Sequence, residues 1–76
     1  MNAFPFGSLP LTEAIPEIRR RLAMTDADIA AELGVHVRTV RWWASGRHVP
    51  VRKMIRPLQA IARRANVEII PESTIQ

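Results

Sequence analysis

The stretch DADIAAELGVHVRTVRWWASG, residues 26–46, has the pattern of two short helices joined by a tight turn. A small residue is needed where two such helices touch, and Ala30 supplies it. Gly34 follows four residues later and can end the first helix, because glycine enters the left-handed conformation at little cost. The apolar anchors that flank the turn are Ile29, Leu33, Val35, Val40 and Trp43. Together these positions predict a helix-turn-helix.

The ends of the two helices are also marked in the sequence. Thr25 precedes the first helix, and Asp28, three residues later, makes a variant of the capping box with it. After the turn, a second helix is predicted from about Val37 to Ser45, with Gly46 as its natural stop.

The flanking segments extend this motif into a small helical domain. Upstream, four apolar residues at spacings of four, three and four predict an amphipathic helix, with Thr12 as its N-cap and Pro16 near its first turn. Downstream, a long apolar stripe follows Pro50, and Pro57 is expected to divide it into two short helices or to kink one. The last apolar run, residues 67–70, predicts a short strand.

The expected fold is therefore all-α, a compact bundle of about five short helices with a helix-turn-helix, followed by a short C-terminal β-strand. We divide the chain into an extended N-terminal arm, residues 1–10, the helix-turn-helix domain, residues 11–66, and a strand with a tail, residues 67–76. The arm carries Phe4 and Phe6, which we expect to pack on the domain or on a second subunit.

Composition limits the class of protein. Seventy-six residues, 47% of them hydrophobic, suffice for one small core. There is no cysteine, which excludes disulfides and thiolate metal sites, and no apolar run approaches the roughly 20 residues needed to span a bilayer. The first ten residues lack the features of a signal peptide, so the expected location is the cytoplasm of a bacterial or phage-infected cell.

Charge is distributed unevenly along the chain. The net charge is only +4, but no acid occurs from Leu33 to Val67. A field of one sign over half the chain attracts a polyanion, with nucleic acid as the first candidate and an anionic membrane surface as the second. The alternative is that such side chains are merely solvated, and this is our interpretation of Arg19–Arg21 and of Arg63 and Arg64.

The run TVRWWASGR, residues 39–47, followed by Pro50, resembles the end of the recognition helix in the λ-repressor/Cro-like (XRE-type) helix-turn-helix family. Met24 and Thr25, which lead into the preceding helix, are similar to that family as well. The resemblance covers residues 15–65, about two-thirds of the chain, and implies a bundle of about five helices that binds DNA.

Two positions depart from the family pattern. The family often has a phosphate-contacting Gln where this chain has Asp26, which would instead repel a phosphate. The family also often has an acid after its tryptophan, where this chain has Ala44, so Arg19 is expected to lack a partner.

Helical geometry predicts which side of the second helix contacts DNA. If Val40 and Trp43 point inward, the outward face consists of Val37, Arg38, Arg41, Trp42 and Ser45. An α-helix fits the major groove, so Arg38 and Arg41 are candidates for bidentate contacts to guanine, and Val37 for contact with a thymine methyl group. Backbone phosphates are the expected partners of Ser45, Arg47, His48 and Lys53, with an added hydroxyl contact from Thr39.

Other chemistry finds little support in the sequence. Trp42 is expected to lie against a sugar–phosphate ridge or a thymine methyl group, or else to pack on a neighbouring helix or a dimer partner. His36 and His48 make a poor metal pair, because no cysteine or nearby carboxylate completes a shell. There is no catalytic constellation and no glycine-rich phosphate loop, so we expect neither an enzyme nor a cofactor.

The sequence thus predicts a sequence-specific, double-stranded-DNA-binding transcriptional regulator, a repressor of the phage or mobile-element type, including those associated with anti-CRISPR operons. One recognition helix, residues 37–45, serves one half-site, so we expect a homodimer on a pseudo-palindromic operator. Its dimer surface is expected among the last apolar helix, the strand and the arm. Neither a small-molecule ligand nor a membrane is an expected partner. The alternatives are a protein-interaction module, such as an antitoxin or adaptor with the same fold, and an RNA or non-specific nucleoid binder.

Overall fold

The computed structural model describes residues 8–70, which contain four helices and a two-stranded sheet. In chain order the elements are β1 (Ser8–Leu9), α1 (Leu11–Leu22), α2 (Asp26–Leu33), α3 (Val37–Ser45), α4 (Arg52–Arg64) and β2 (Glu68–Ile69). The mostly helical architecture and the short C-terminal strand are confirmed, whereas the described residues contain four helices instead of about five. The predicted packing of Phe4 and Phe6 lies outside the described residues.

The last helix accounts for the difference in helix number. α4 is one helix that continues through Pro57, and not the two short helices that were one of our expectations. A proline inside a helix removes one backbone hydrogen bond and costs about 3 kcal/mol or more. The helix continues because Leu58, Ile61 and Ala62, which follow the proline, are buried and hold its second half against the core.

The first helix also contains an internal proline, and it begins one residue before its predicted cap. α1 begins at Leu11 with Pro10 at the N-cap, so the prediction of Thr12 as the cap is wrong. Pro16 consequently lies in the second turn and not near the first. Ile15 and Ile18, on either side of this proline, are both 0% exposed, and their burial offsets the lost hydrogen bond.

The helix-turn-helix has the predicted caps. Thr25 Oγ1 accepts a hydrogen bond from the Asp28 N–H at 3.0 Å, and Asp28 Oδ2 accepts one from the Thr25 N–H at 2.9 Å. Gly34 ends α2 in the left-handed region with φ of 72°. The next residue, Val35, donates its N–H to the carbonyl of Ala30 at 3.0 Å, which satisfies one of the last carbonyls of the helix.

The sheet joins the two ends of the described chain. β1 and β2 are parallel, with Ser8 opposite Glu68 and Leu9 opposite Ile69. The Gln59 side chain, on α4, donates to the Ile69 carbonyl at 2.9 Å and accepts from the Ile69 N–H at 3.3 Å. The strand predicted within residues 67–70 therefore exists. At Ile69 it is paired with β1 on one side and hydrogen-bonded to the Gln59 side chain on the other.

The core is built from one face of each helix and from β2. Its buried residues are Leu11, Ala14, Ile15, Ile18, Ile29, Ala30, Leu33, Val40, Trp43, Leu58, Ile61, Ala62, Ala65, Val67 and Ile69. Four of the five predicted anchors of the helix-turn-helix are in this set, and the fifth, Val35, is half-buried and packs against it. The orientation of α2 and α3 is thus set by apolar contacts on both helices.

Between residues 8 and 70, no helix combines the length and the apolar character that crossing a membrane requires.

Candidate nucleic-acid interface

The orientation of α3 determines whether an exposed basic helix face exists. Val40 is 0% exposed and Trp43 is 3% exposed, so both lie in the core as predicted. Arg38, Arg41 and Ser45, which lie on the opposite side of the helix, are exposed. Two guanidinium groups and a hydroxyl-bearing residue therefore share the outward face of α3.

An aromatic cluster centred on Trp42 lies beside these arginines. The ring of Trp42, which is half-buried, has its centroid 4.8 Å from that of His48 at an interplanar angle of 55°. The guanidinium carbon of Arg38 lies 5.9 Å from the centroid of the Trp42 ring, near the outer limit of a cation–π contact. Trp42 thus packs against His48, a loop residue of its own chain, and Arg38 lies near the face of the Trp42 ring.

A carboxylate lies close to the second arginine of this face. Arg19 Nη1 donates to both carboxylate oxygens of Asp26, at 3.1 and 3.2 Å, so the expectation that Arg19 lacks a partner is wrong. The partner comes from the first residue of α2, because the short turn after α1 brings that residue back beside Arg19. Asp26 Oδ2 also lies 3.7 Å from Arg41 Nε, although the Arg41 side chain remains 67% exposed.

Two of the residues expected to contact DNA are half-buried, and a third, on the outward face of α3, has its hydroxyl already engaged. Val37 is half-buried and packs against the core, which contradicts its predicted outward orientation. It precedes Val40 by three residues and so lies only about 60° from it around the helix axis. Thr39 is half-buried as well, and the exposed Ser45 already donates its hydroxyl to the carbonyl of Trp42 at 3.1 Å.

The residues expected to contact phosphates follow α3. Gly46 ends α3 in the left-handed region with φ of 79°, and the chain then passes through the exposed Arg47 and His48. Lys53, also exposed, is in the first turn of α4, a helix that has no acid in that turn and no side-chain cap. These cations extend the positive surface of α3 toward α4.

An open groove connects the end of α3 to the start of α4. Its volume is about 430 Å³, and its lining includes Thr39, Trp42, His48, Val51 and Lys53. The structure therefore brings four of the predicted contact residues to one groove. Val51, which is 51% exposed, was not predicted as part of any site, and it gives the groove an apolar rim.

The start of α3 depends on a histidine that the sequence marked as a poor metal ligand. His36 is the N-cap of α3, and its Nδ1 accepts a hydrogen bond from the Arg38 N–H at 3.0 Å. The cap satisfies one of the free N–H groups at the helix start, so it helps to fix the turn that carries Arg38.

Several arginines interpreted as merely solvated make ion pairs instead. Arg20 and Arg21 both bond to Glu17, and the hydrogen bond from Arg20 lowers the pKa of Glu17 below its ordinary value of 4.5. Arg64 lies 2.7 Å from Glu32, which ties α4 to α2. Arg21 also donates to the Ala65 carbonyl at 3.1 Å. Arg64 and the Arg21 bond to Ala65 thus connect α4 and its C-terminal end to other helices, whereas the pairs with Glu17 lie within α1.

The remaining cations of residues 8–70 differ from these arginines. Those that make no ion pair within the described part of the chain are Arg38, Arg47, Arg52, Lys53, Arg56 and Arg63. All belong to α3, α4 or the segment between them. Arg52, Arg56 and Arg63 were not among the predicted site residues. Their spacing of four and seven residues in an acid-free helix is the sequence signal that could have identified them.

No cluster of three or more His, Asp or Glu side chains suited to a metal ion occurs in the described part of the chain.

Comparison with protein-family models, with curated proteins and with solved structures finds no match to this chain. The function is therefore inferred from the arrangement of its own residues.

Proposed function

We propose that this protein is a sequence-specific, double-stranded-DNA-binding transcriptional regulator, a repressor of the λ-repressor/Cro-like helix-turn-helix type. In this proposal α3 enters the major groove, and Arg38 and Arg41 donate bidentate hydrogen bonds to guanine bases. Arg47, His48 and Lys53 contact phosphates on either side of those bases and set the position of the helix. No catalytic step is part of the role.

One observation carries the proposal. The burial of Val40 and Trp43 turns Arg38 and Arg41 outward on a short helix held by the core on one side only. A helix of this size fits the major groove, where guanidinium groups can distinguish guanine by its two acceptor atoms. The cations on and after α3 that make no ion pair among residues 8–70 add an attraction that does not depend on sequence.

The experiment that tests the proposal is selection of bound duplexes from a random pool, followed by gel shifts of the selected and a scrambled duplex at two salt concentrations. Arg41→Ala is expected to lower affinity for the selected duplex by about 1–3 kcal/mol, which is about 5- to 150-fold, and to change scrambled-duplex binding little. Arg20→Ala, an exposed arginine on α1, is the matched control and should leave the preference intact. Failure to enrich any sequence would overturn the proposal.

A homodimer is the expected binding form, because each chain contributes one α3 and a single half-site provides limited specificity. Half-sites should lie about 34 Å apart, one turn of the duplex. Inserting about half a helical turn of DNA between the half-sites should therefore abolish cooperative binding, whereas inserting a full turn should weaken it less. Equal binding to all three spacings would indicate that the protein binds as a monomer.

A second candidate function is supported by the groove beside α3. Trp42 and Val51 give it an apolar rim that a protein partner could cover, as in an antitoxin or an adaptor. Val51→Ser separates the two functions, because Val51 lies on the rim and carries no charge. If the protein is a protein-interaction module, this variant should no longer bind the partner, and the unmodified chain should prefer no duplex sequence. A DNA-binding regulator should instead keep its sequence preference.

A further inference from the structure

The outward face of α4 carries a row of cations with one sign of charge. Arg52, Arg56 and Arg63 are four and seven residues apart, so they lie within about 40° of one another around the helix axis. The row spans about 16 Å at 1.5 Å per residue. All three arginines are exposed, and no carboxylate pairs with any of them among residues 8–70.

These side chains line an open groove of about 700 Å³ together with Lys53, Ile55 and Gln59. Gln59 uses both ends of its amide on the backbone of Ile69 and is therefore committed to holding β2. The remaining polar side chains of the groove are all cations. A ligand that binds the free polar side chains of this groove must consequently carry negative charge.

The groove adjoins the one at the end of α3, which is lined by residues that the proposed function places near DNA. Lys53 lines both this groove and the one that contains Trp42 and His48. The two grooves therefore meet at Lys53, in the first turn of α4. Among the described residues, no acidic side chain lines either groove, so a single polyanion that lies against the end of α3 meets no carboxylate in the lining of either one.

We propose that the α4 row, defined as Arg52, Arg56 and Arg63, together with the adjacent Lys53, binds the phosphate backbone of duplex DNA outside the bases that α3 contacts. This inference rests on the proposed function and names a second surface for the same ligand. Each strand of duplex DNA carries one negative charge per about 3.4 Å of the duplex axis, so a row of about 16 Å spans about five phosphates of one strand. An acidic protein surface matches the row less well, because it rarely offers such a uniform line of charge.

The test measures how affinity depends on salt, with a mixed-sequence duplex of about three helical turns as the probe. The double variant Arg56→Gln/Arg63→Gln removes two charges from exposed positions of α4. Binding is measured by fluorescence anisotropy between about 50 and 200 mM salt, and the slope of log affinity against log salt falls by about 0.9 for each phosphate that the protein no longer neutralises. The expected slope of the variant is therefore shallower by about 1.8.

Two further variants separate this surface from net charge and from folding. Arg20→Gln/Arg64→Gln lowers the net charge by the same amount, but its arginines pair with Glu17 and Glu32 away from the row. Its slope should stay close to that of the unmodified chain. Arg56→Lys/Arg63→Lys keeps both charges and should keep the slope. Circular dichroism melting of all variants checks that the helices remain folded.

The outcomes distinguish this inference from the proposed function. An unchanged slope in the Gln double variant, while the unmodified chain binds the duplex, overturns the α4 inference and leaves the proposed function standing. A shallower slope in a protein that binds every duplex equally supports the α4 inference and overturns sequence-specific regulation. Absence of duplex binding by the unmodified chain overturns the α4 inference as well. So does a Gln double variant that binds an RNA duplex or polyglutamate more weakly but binds DNA as the unmodified chain does.

Discussion

Asp26 Oδ2 lies 3.7 Å from Nε of Arg41, so the first residue of α2 places a negative charge beside an arginine that we propose contacts bases. The same carboxylate is held by Arg19 at 3.1 Å, and its side chain is only 15% exposed. The acid therefore has two effects. It braces α1 against α2, and it partly neutralises the surface that faces DNA.

Removing the negative charge of Asp26 should raise the affinity for duplex DNA and lower the stability of the fold. Asp26→Asn is expected to raise duplex affinity about twofold to fivefold, because ion pairs near the surface are worth about 0.2–1 kcal/mol and Arg41 is released from one. Stability to urea should fall by up to about 1 kcal/mol, because Arg19 loses its partner. Glu13→Gln, at an exposed acid of α1, is the control for net charge. Weaker binding by Asp26→Asn would contradict the interpretation.

Truncation of the two adjacent tryptophans of α3 should destabilise the fold by very different amounts. Trp43 is in the core, so Trp43→Ala is expected to cost about 3–5 kcal/mol of the free energy of unfolding, and Trp43→Phe less. Trp42 packs on His48 outside the core, so Trp42→Ala should cost less than about 1 kcal/mol. Urea unfolding followed by circular dichroism provides the comparison. Similar effects of both alanine variants would show that the assignment of the inward face is wrong.

The cap on α3 predicts a difference between two substitutions at one position. His36→Ala removes the acceptor of the Arg38 N–H and should cost about 0.5–2 kcal/mol, the usual range for removal of an N-cap. His36→Asn restores an acceptor of similar reach and should recover most of that stability. Thermal unfolding of the two variants beside the unmodified chain measures the effect. If both substitutions cost the same, the hydrogen bond to Nδ1 contributes little to stability.

The pair between Glu17 and Arg20 predicts how acid affects the fold. The hydrogen bond from Arg20 lowers the pKa of Glu17 in the folded chain below 4.5, so folding favours the carboxylate form. The stabilisation is fully present above the ordinary value and is lost as the pH falls through the folded pKa. A carbon-detected NMR titration should place the Glu17 midpoint below 4.5, and Arg20→Gln should move it upward. A midpoint at or above 4.5 in the unmodified chain would refute this.

Local signals predicted the motif well because they act within a few residues of one another. The capping box at Thr25 and Asp28 and the left-handed glycines Gly34 and Gly46 are set by side-chain and backbone chemistry along one short segment. The inward pair Val40 and Trp43 follows from helical periodicity. These features were correct in both type and position.

Contacts between distant segments were missed for a physical reason. The partner of Arg19 depends on how the turn between α1 and α2 places Asp26, and the strand at Ile69 depends on β1 from the other end of the chain. Pro57 was expected to interrupt its helix, because the sequence shows the cost of a proline but not the burial that outweighs it.

The amino-acid order alone determined where the helices around the turn begin and end and which face of α3 is apolar, since caps, glycines and apolar spacing act along a single segment. Only the folded chain decided which charges are free. Ion pairing between helices requires two groups to meet in space. The packing of α1, α2 and α4 gives Arg19 and Arg64 their acids, whereas Arg20 and Arg21 reach Glu17 by helical spacing within α1 and the α4 row meets no acid among residues 8–70.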